Sequence, residues 1–184
     1  MGSGKLELHV GCGTIYYPGM VNIDLFANDA RGEETRGKVK LDLEYDMSKL
    51  DEVYAENTVD RVFSYHSFEH LSKYVRQRAL ESWLKILKPC GCIEIFVPDA
   101  LKICRGVAGC LTEDDLKSPE PKSREWFYFL LEGTQEFEGE HHLCHYDFDR
   151  LKSIVESVGY VDIEELPSQI PWREFGLRAS RRDS

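Results

Sequence analysis

Lys5-Leu-Glu-Leu-His-Val10 alternates polar and apolar positions and stops at Gly11-Cys-Gly13, the pattern of a strand entering a tight turn. Met20-Val-Asn-Ile-Asp-Leu25 is a second apolar run ending on an acid. Lys38-Val-Lys-Leu-Asp42 repeats that pattern, so two predicted strands finish on aspartate. A fourth strand is predicted over 60–65. It is followed by a helix whose apolar stripe is Leu71, Tyr74, Val75, Ala79, Leu80, Trp83, Leu84 and Leu87. That helix should stop at Lys88-Pro89, with a fifth strand at Cys92-Ile-Glu-Ile-Phe-Val97.

Residues 100–122 lack a period and read as a loop or lid. Ser123 predicts a cap for a helix carrying Trp126, Phe127, Leu130 and Leu131, rings expected mainly in the core. A second loop over 133–146 holds Glu140-His-His-Leu-Cys-His145. Asp147 caps a predicted helix with stripe Phe148, Leu151, Ile154, Val155 and Val158, and Gly159 stands at its left-handed stop. Val161 and Ile163 alternate with acids as in an edge strand, and 176–179 reads as a last strand before a basic tail. Strands alternating with helices predict an α/β fold: a doubly wound, mostly parallel sheet of seven strands, whose ligands bind at the carboxyl ends of the strands.

Composition narrows the function. A chain of 184 residues fits one domain. Its 33 acidic and 23 basic residues give a net charge of −10, which disfavours a nucleic-acid partner. No run approaches the roughly 20 apolar residues that cross a bilayer. The six cysteines follow no disulfide framework, so reduced thiols in the cytoplasm are expected, with Cys90 and Cys92 in packing roles.

Gly11 and Gly13 let the backbone approach a ligand. Asp24, at the second strand end, suits two hydrogen bonds from adjacent ribose hydroxyls, and Asp42 suits an adenine amino group. A dinucleotide fits poorly, because the third glycine of the usual fingerprint would fall at Tyr16. No Gly-Lys-Ser/Thr follows the turn either, so a P-loop is excluded.

Leu8-His-Val-Gly-Cys-Gly13, Pro18-Gly-Met-Val-Asn-Ile-Asp24, Val39-Lys-Leu-Asp42, Val59-Asp60, His66-Ser-Phe-Glu-His-Leu71 and Leu87-Lys-Pro-Cys-Gly91 occur in order. Together they resemble the successive motifs of class I S-adenosylmethionine-dependent methyltransferases, in a compact subgroup written G-C-G, P-G, N-x-D, E-H-L. The resemblance covers about residues 5–99. It implies that Gly11, Cys12 and Gly13 lie along the methionine part of S-adenosylmethionine, that Asp24 and Leu25 hold the ribose, and that Asp42 and Leu43 flank the adenine. It also implies that His66 borders the methyl-transfer region. Two features depart from the family: His9 stands where members usually carry an acid, and the first helix must be shortened or lost.

The expected activity is transfer of a methyl group to an oxygen or nitrogen of a small-molecule, sugar or peptide acceptor. A non-catalytic module that binds S-adenosylmethionine or an adenosine compound is the alternative, and a dehydrogenase is weaker for want of the third glycine. His66, His142 and His145 are the candidates for a general base. Glu69-His70 reads as the opening of the helix, where a carboxylate suits the dipole. The pair His142-x-x-His145, with Glu140 or Asp147 nearby, falls short of a fixed set of three or four ligands, so no metal is expected.

Overall fold

The protein is seen here as a computed structural model that describes residues 4–25, 38–113, 123–136, 138–170 and 173–183. Its strands are β1 (Glu7–Val10), β2 (Val21–Asp24), β3 (Leu43–Glu44), β4 (Val59–Tyr65), β5 (Leu87–Pro98), β6 (Val161–Leu166) and β7 (Glu174–Ser180). They form one sheet in the order β3-β2-β1-β4-β5-β7-β6. The first five pair in parallel, and β7 runs antiparallel to both β5 and β6. Strand order therefore reverses between β1 and β4, the switch point at which open α/β sheets leave a crevice.

Among the described residues four α-helices flank the sheet, each capped by the side chain that precedes it. Ser72 caps α1 (Lys73–Ile86) and Asp99 caps α2 (Ala100–Val107). Ser123 caps α3 (Arg124–Glu132), while Asp147 caps α4 (Phe148–Val158), which ends at Gly159 with φ of 114°. Leu8, Val10, Ile23, Val62, Ile93 and Ile95 from the strands are fully buried together with Leu80, Trp83 and Ile86 of α1 and Leu151 and Val155 of α4. A smaller cluster of Ile103, Phe127 and Leu130 joins α2 to α3. No helix among the described residues is long and apolar enough to cross a membrane.

The fold departs from the sequence expectation at four places. Residues 100–107 form α2 rather than a loop, because the Asp99 carboxylate accepts the Lys102 N–H and starts a helix on a segment lacking a long apolar stripe. The remainder of that expected loop, 114–122, lies outside the described residues, as does position 137 of the second loop. The third strand is not 38–42 but Leu43–Glu44, since pairing with β2 begins at Ile23 opposite Leu43. β5 begins at Leu87, directly after α1, with an irregularity that sets Val59 against Leu87 and Arg61 against Cys92. On α1 the buried face is Arg76, Ala79, Leu80, Trp83 and Ile86, which leaves Tyr74 outside, 84% exposed.

The ten residues between β1 and β2 contain turns and no helix. The β1 carboxyl end thus leads into the crevice without the helix that usually covers it.

Candidate active site

The turn after β1 is shaped by side chains from two other strand ends. Gly11 and Gly13 have φ of 63° and 54°, a region that glycine enters without strain. A Cβ on Gly11 would overlap Ser67, coming within 2.6 Å of its Oγ, and would lie 2.8 Å from Met47 Cε. One on Gly13 would meet nothing within 4 Å. Ser67 Oγ donates to the Val10 carbonyl at 3.0 Å, so the 2.7 Å contact between Ser64 Oγ and Ser67 Oγ is donated by Ser64. The Cys12 N–H bonds the Ile23 carbonyl at 3.0 Å, and the Gly13 N–H donates to Asp24 Oδ2 at 2.7 Å. The glycine turn and the acid at the end of β2 are therefore one rigid unit.

After β3, Asp46 caps a 3-10 turn over Met47–Glu52, accepting from Ser48 N at 2.9 Å and from Ser48 Oγ at 2.7 Å. The Trp83 indole N–H donates to the Met47 carbonyl at 2.7 Å and ties this turn to the buried face of α1. Around these pieces lies a cavity of about 590 Å³, within the range that holds nucleotide-sized ligands. Its walls are residues 11–15, Asp24 and Leu25, Asp46 and Met47, the β4 end at Tyr65, His66 and Ser67, then His70, Leu71, Ser72 and Val75, and Gly139, Glu140 and Leu143.

Of the expected cofactor residues, Gly11, Cys12, Gly13, Asp24, Leu25 and His66 line this cavity. Asp42 and Leu43 do not. Asp42 Oδ2 accepts Asn22 N at 2.8 Å and Asn22 Nδ2 at 3.0 Å, and Oδ1 accepts the Tyr16 hydroxyl at 3.1 Å. The hydrogen bond from the Asn22 backbone is the main cause that holds its carboxyl below the ordinary range. Leu43 is occupied in the β2–β3 pairing. Asp46 and Met47, four residues further on, take the place beside the cavity. The reading missed them because Asp42 ended an alternating run, whereas Asp46 carries only the weaker signal of a capping residue followed by Ser48.

His9, at the family's acidic position, is fully buried. Its Nδ1 lies 3.0 Å from Asn22 Oδ1, its ring packs edge-on against Tyr17, and burial lowers its pKa, so it is a neutral core histidine outside the cavity wall.

His66 is held differently from the expectation of a base. It follows β4 with φ of 49°, its Nε2 lies 2.7 Å from Glu174 Oε2, and its Nδ1 lies 3.3 Å from Glu69 Oε1. Burial pulls its pKa down, but hydrogen bonds to Glu174 and then Glu69 outweigh that and raise it to about 9. Burial likewise opposes ionisation of Glu69 and Glu174, and the His66 hydrogen bond reverses it, leaving both carboxyls below the ordinary range. Ser168 Oγ also donates to Glu174. His66 is thus an imidazolium with both N–H groups committed to carboxylates, and it has no lone pair with which to take a proton.

His142 and His145, also expected as bases, do not line the large cavity. His142 Nδ1 donates to the Leu130 carbonyl at 3.1 Å and His145 Nε2 to the Leu131 carbonyl at 2.7 Å. Both rings satisfy carbonyls at the carboxyl end of α3, which lack partners within the helix. Burial lowers the pKa of His142, which stays neutral.

Among the described residues the cavity wall thus includes the acids Asp24, Asp46 and Glu140 against one cationic side chain, His66. Such a wall favours a cationic ligand with hydroxyl groups to bind.

Residues 8–95 match the family model described as "Methyltransferase domain". Over this segment, just under half of its length, the chain is similar to methyltransferase domains. Its fold is that of solved methyltransferases. A structure described as a SAM-dependent methyltransferase from Archaeoglobus fulgidus is 13% identical, with a TM-score of 0.61 over 97% of this chain and 86% of that one. The CurJ carbon methyltransferase is 12% identical, with a TM-score of 0.61 over 99% of this chain and 50% of that one. Phosphoethanolamine N-methyltransferase 2 of Haemonchus contortus, in complex with S-adenosyl-L-methionine, is 13% identical, with a TM-score of 0.54 over 99% of this chain and 50% of that one. The chain spans half the length of the latter two proteins. A comparison with curated protein sequences gave no match.

Proposed function

We propose that this chain binds S-adenosylmethionine in the 590 Å³ cavity and transfers its methyl group to an oxygen or nitrogen of a small-molecule, sugar or peptide acceptor. The observation that carries the reading is convergence: the glycine turn after β1, Asp24 at the end of β2 and Asp46 after β3 face one cavity. The donor set fits the cofactor. The open backbone at Gly13 admits the methionine portion, the Asp24 carboxylate accepts from ribose hydroxyls, Asp46 and Met47 flank the adenine, and the acidic wall suits a sulfonium and an ammonium.

When bound, the cofactor supplies an activated methyl on a positively charged sulfur. The chain's own contribution is alignment of the acceptor with that methyl and exclusion of water. Leu71, Val75 and Leu143 line the acceptor-facing part with apolar surface, while Tyr65 and the buried His66–Glu174 pair hold the β4 end rigid. With both His66 nitrogens committed to carboxylates, and His142 and His145 not lining the large cavity, an acceptor that needs deprotonation must lose its proton by another route. The net charge of −10 weighs against nucleic acid as acceptor. Six cysteines without a disulfide support a reducing, cytoplasmic location.

Isothermal titration of S-adenosylmethionine and S-adenosylhomocysteine against the wild type and Asp24→Ala tests the reading. The variant is expected to bind more than tenfold more weakly, and equal affinity would overturn the site assignment. Release of S-adenosylhomocysteine on addition of acceptor mixtures separates an enzyme from a module that only binds.

A further inference from the structure

Glu69, His70 and His142 bring one ligating atom each to within 4.8 Å of one another, beside a smaller cavity that shares His66, His70 and Glu140 with the large one. We propose that these three side chains form a binding site for one divalent first-row transition-metal ion of the zinc or manganese type. Neither the family match nor the H-x-x-H spacing points to it: His145 Nε2 is bonded to the Leu131 carbonyl and is not in the cluster, and two of the three ligands come from the Glu69-His70 pair expected only to open a helix.

Three observations carry the assignment. First, Glu69 is 1% exposed, its Oε1 is taken by His66, and its Oε2 is buried with no partner among the described residues. A buried carboxylate oxygen without a partner is costly and calls for an explanation such as an ion. Second, both histidines are oriented as metal ligands usually are. His70 Nδ1 lies 3.1 Å from the His141 carbonyl and His142 Nδ1 lies 3.1 Å from the Leu130 carbonyl. A carbonyl only accepts, so each Nδ1 carries the proton and each Nε2 keeps its lone pair, the second-shell arrangement that fixes the tautomer of ligating histidine. Third, the loop bearing His142 is fastened to Glu69 in advance. The Leu143 and Cys144 N–H groups donate to the Glu69 carbonyl at 2.9 and 3.0 Å, and the His142 N–H donates to the Glu132 carbonyl at 3.0 Å.

The set is two imidazoles and one carboxylate, which suits borderline transition ions better than magnesium. His142 Nε2 stands 3.9 Å from Glu69 Oε1. That oxygen is the one His66 also meets, so a tetrahedral ion, whose ligand atoms stand roughly 3.4 Å apart at bonds near 2.0 Å, needs side-chain rotations that turn the unpartnered Glu69 Oε2 and draw the three groups in from 4.8 Å. An adjoining cavity of about 210 Å³ is lined by all three ligands and shares His66, His70 and Glu140 with the large one. Three protein ligands leave a coordination position open, as in catalytic rather than structural sites. Resting on the methyltransferase reading, that position suits an acceptor hydroxyl or phosphate oxygen, which the ion would hold beside the methyl donor.

The test is equilibrium dialysis of the full chain against Zn²⁺ and Mn²⁺ without S-adenosylmethionine, with metal counted per chain, and visible spectroscopy of the Co²⁺ form. One equivalent is expected in the wild type and in His145→Ala, with affinity reduced at least tenfold in His70→Ala and in His142→Ala. Co²⁺ should show nitrogen and oxygen ligation without a thiolate charge-transfer band. Melting curves identify a variant that fails to fold, and His70→Asn replaces His70→Ala in that case. Absence of bound metal, full binding by both ligand variants, or a thiolate band would overturn the proposal. None of these outcomes touches the Asp24 titration, so the two readings fail separately.

Discussion

His66 and Glu174 lie 108 positions apart in the chain, yet their Nε2 and Oε2 atoms are 2.7 Å from each other, joining the β4 end to the start of β7 across the intervening β5 end. Glu174 is 1% exposed, so removing its charge leaves a half-buried cation facing a buried amide. Loss of one partner from a fully buried pair costs about 3–5 kcal/mol. Glu69 still faces His66 and the His66 side chain is 24% exposed, so Glu174→Gln is expected to cost about 2 kcal/mol, below that range. Urea denaturation near neutral pH measures it, and a cost under roughly 0.5 kcal/mol, the scale of an ordinary surface pair, would show that the contact is not a buried ion pair.

Asp42 and Asp24 should separate stability from binding. Asp42 serves the Asn22 backbone and amide, so Asp42→Ala is expected to cost about 1 kcal/mol of stability and to leave S-adenosylmethionine affinity within about twofold. Asp24→Ala should do the reverse. The pH dependence follows from the direction of the Asp42 shift. Its folded-state pKa is depressed, so its contribution is complete above the ordinary carboxylate value near 4 and is lost as pH falls through the lower folded-state value. The wild-type denaturation midpoint should therefore fall more steeply than that of Asp42→Ala below about pH 4, as read by urea curves at several pH values.

His145→Ala removes one hydrogen bond to the Leu131 carbonyl, at an exposed helix end that water can serve. The expected cost is under about 1 kcal/mol, with cofactor affinity unchanged. Loss of cofactor binding in this variant would place the loop in the binding site and contradict its position outside the cavity.

Local signals made much of the fold readable, and long-range contacts set the remainder. The caps at Ser123 and Asp147, the stop at Gly159 and the alternating strands are written in neighbouring residues, and the structure has them. Asp24 was legible because it directly ends a strand beside a glycine turn. Asp46 was not, because its place at the cavity depends on Trp83 holding the Met47 carbonyl, a contact across 36 positions. The partners of the histidines were hidden for the same reason. His66 as a residue type at a strand end suits a base, but Glu174, supplied by β7, turns it into a cation. Nothing near residue 66 signals that partner. His142 and His145 are placed by the carbonyls of α3, and the start of α2 was missed because its cap, Asp99, follows Pro98 and the helix runs for only eight residues, too short for a sustained period.

The glycine turn gives the sharpest separation of packing from backbone strain. At Gly13 an added Cβ meets no atom, so Gly13→Ala bears only the left-handed backbone cost of about 1–2 kcal/mol. At Gly11 the same backbone cost is joined by collision with Ser67 and Met47, bringing the expected loss to about 3 kcal/mol or more. Met47 Cε is the end of a flexible chain and can move. Ser67 is held by Val10 and Ser64, so the collision with it is the costly part. Removing the Ser67 side chain should then make Gly11→Ala less damaging. In a double-mutant cycle of Gly11→Ala with Ser67→Gly, the alanine is expected to cost at least about 1 kcal/mol less in the Ser67→Gly background. Additive losses would mean that Ser67 does not set the shape of the turn, and that the β1 and β4 strand ends are positioned independently.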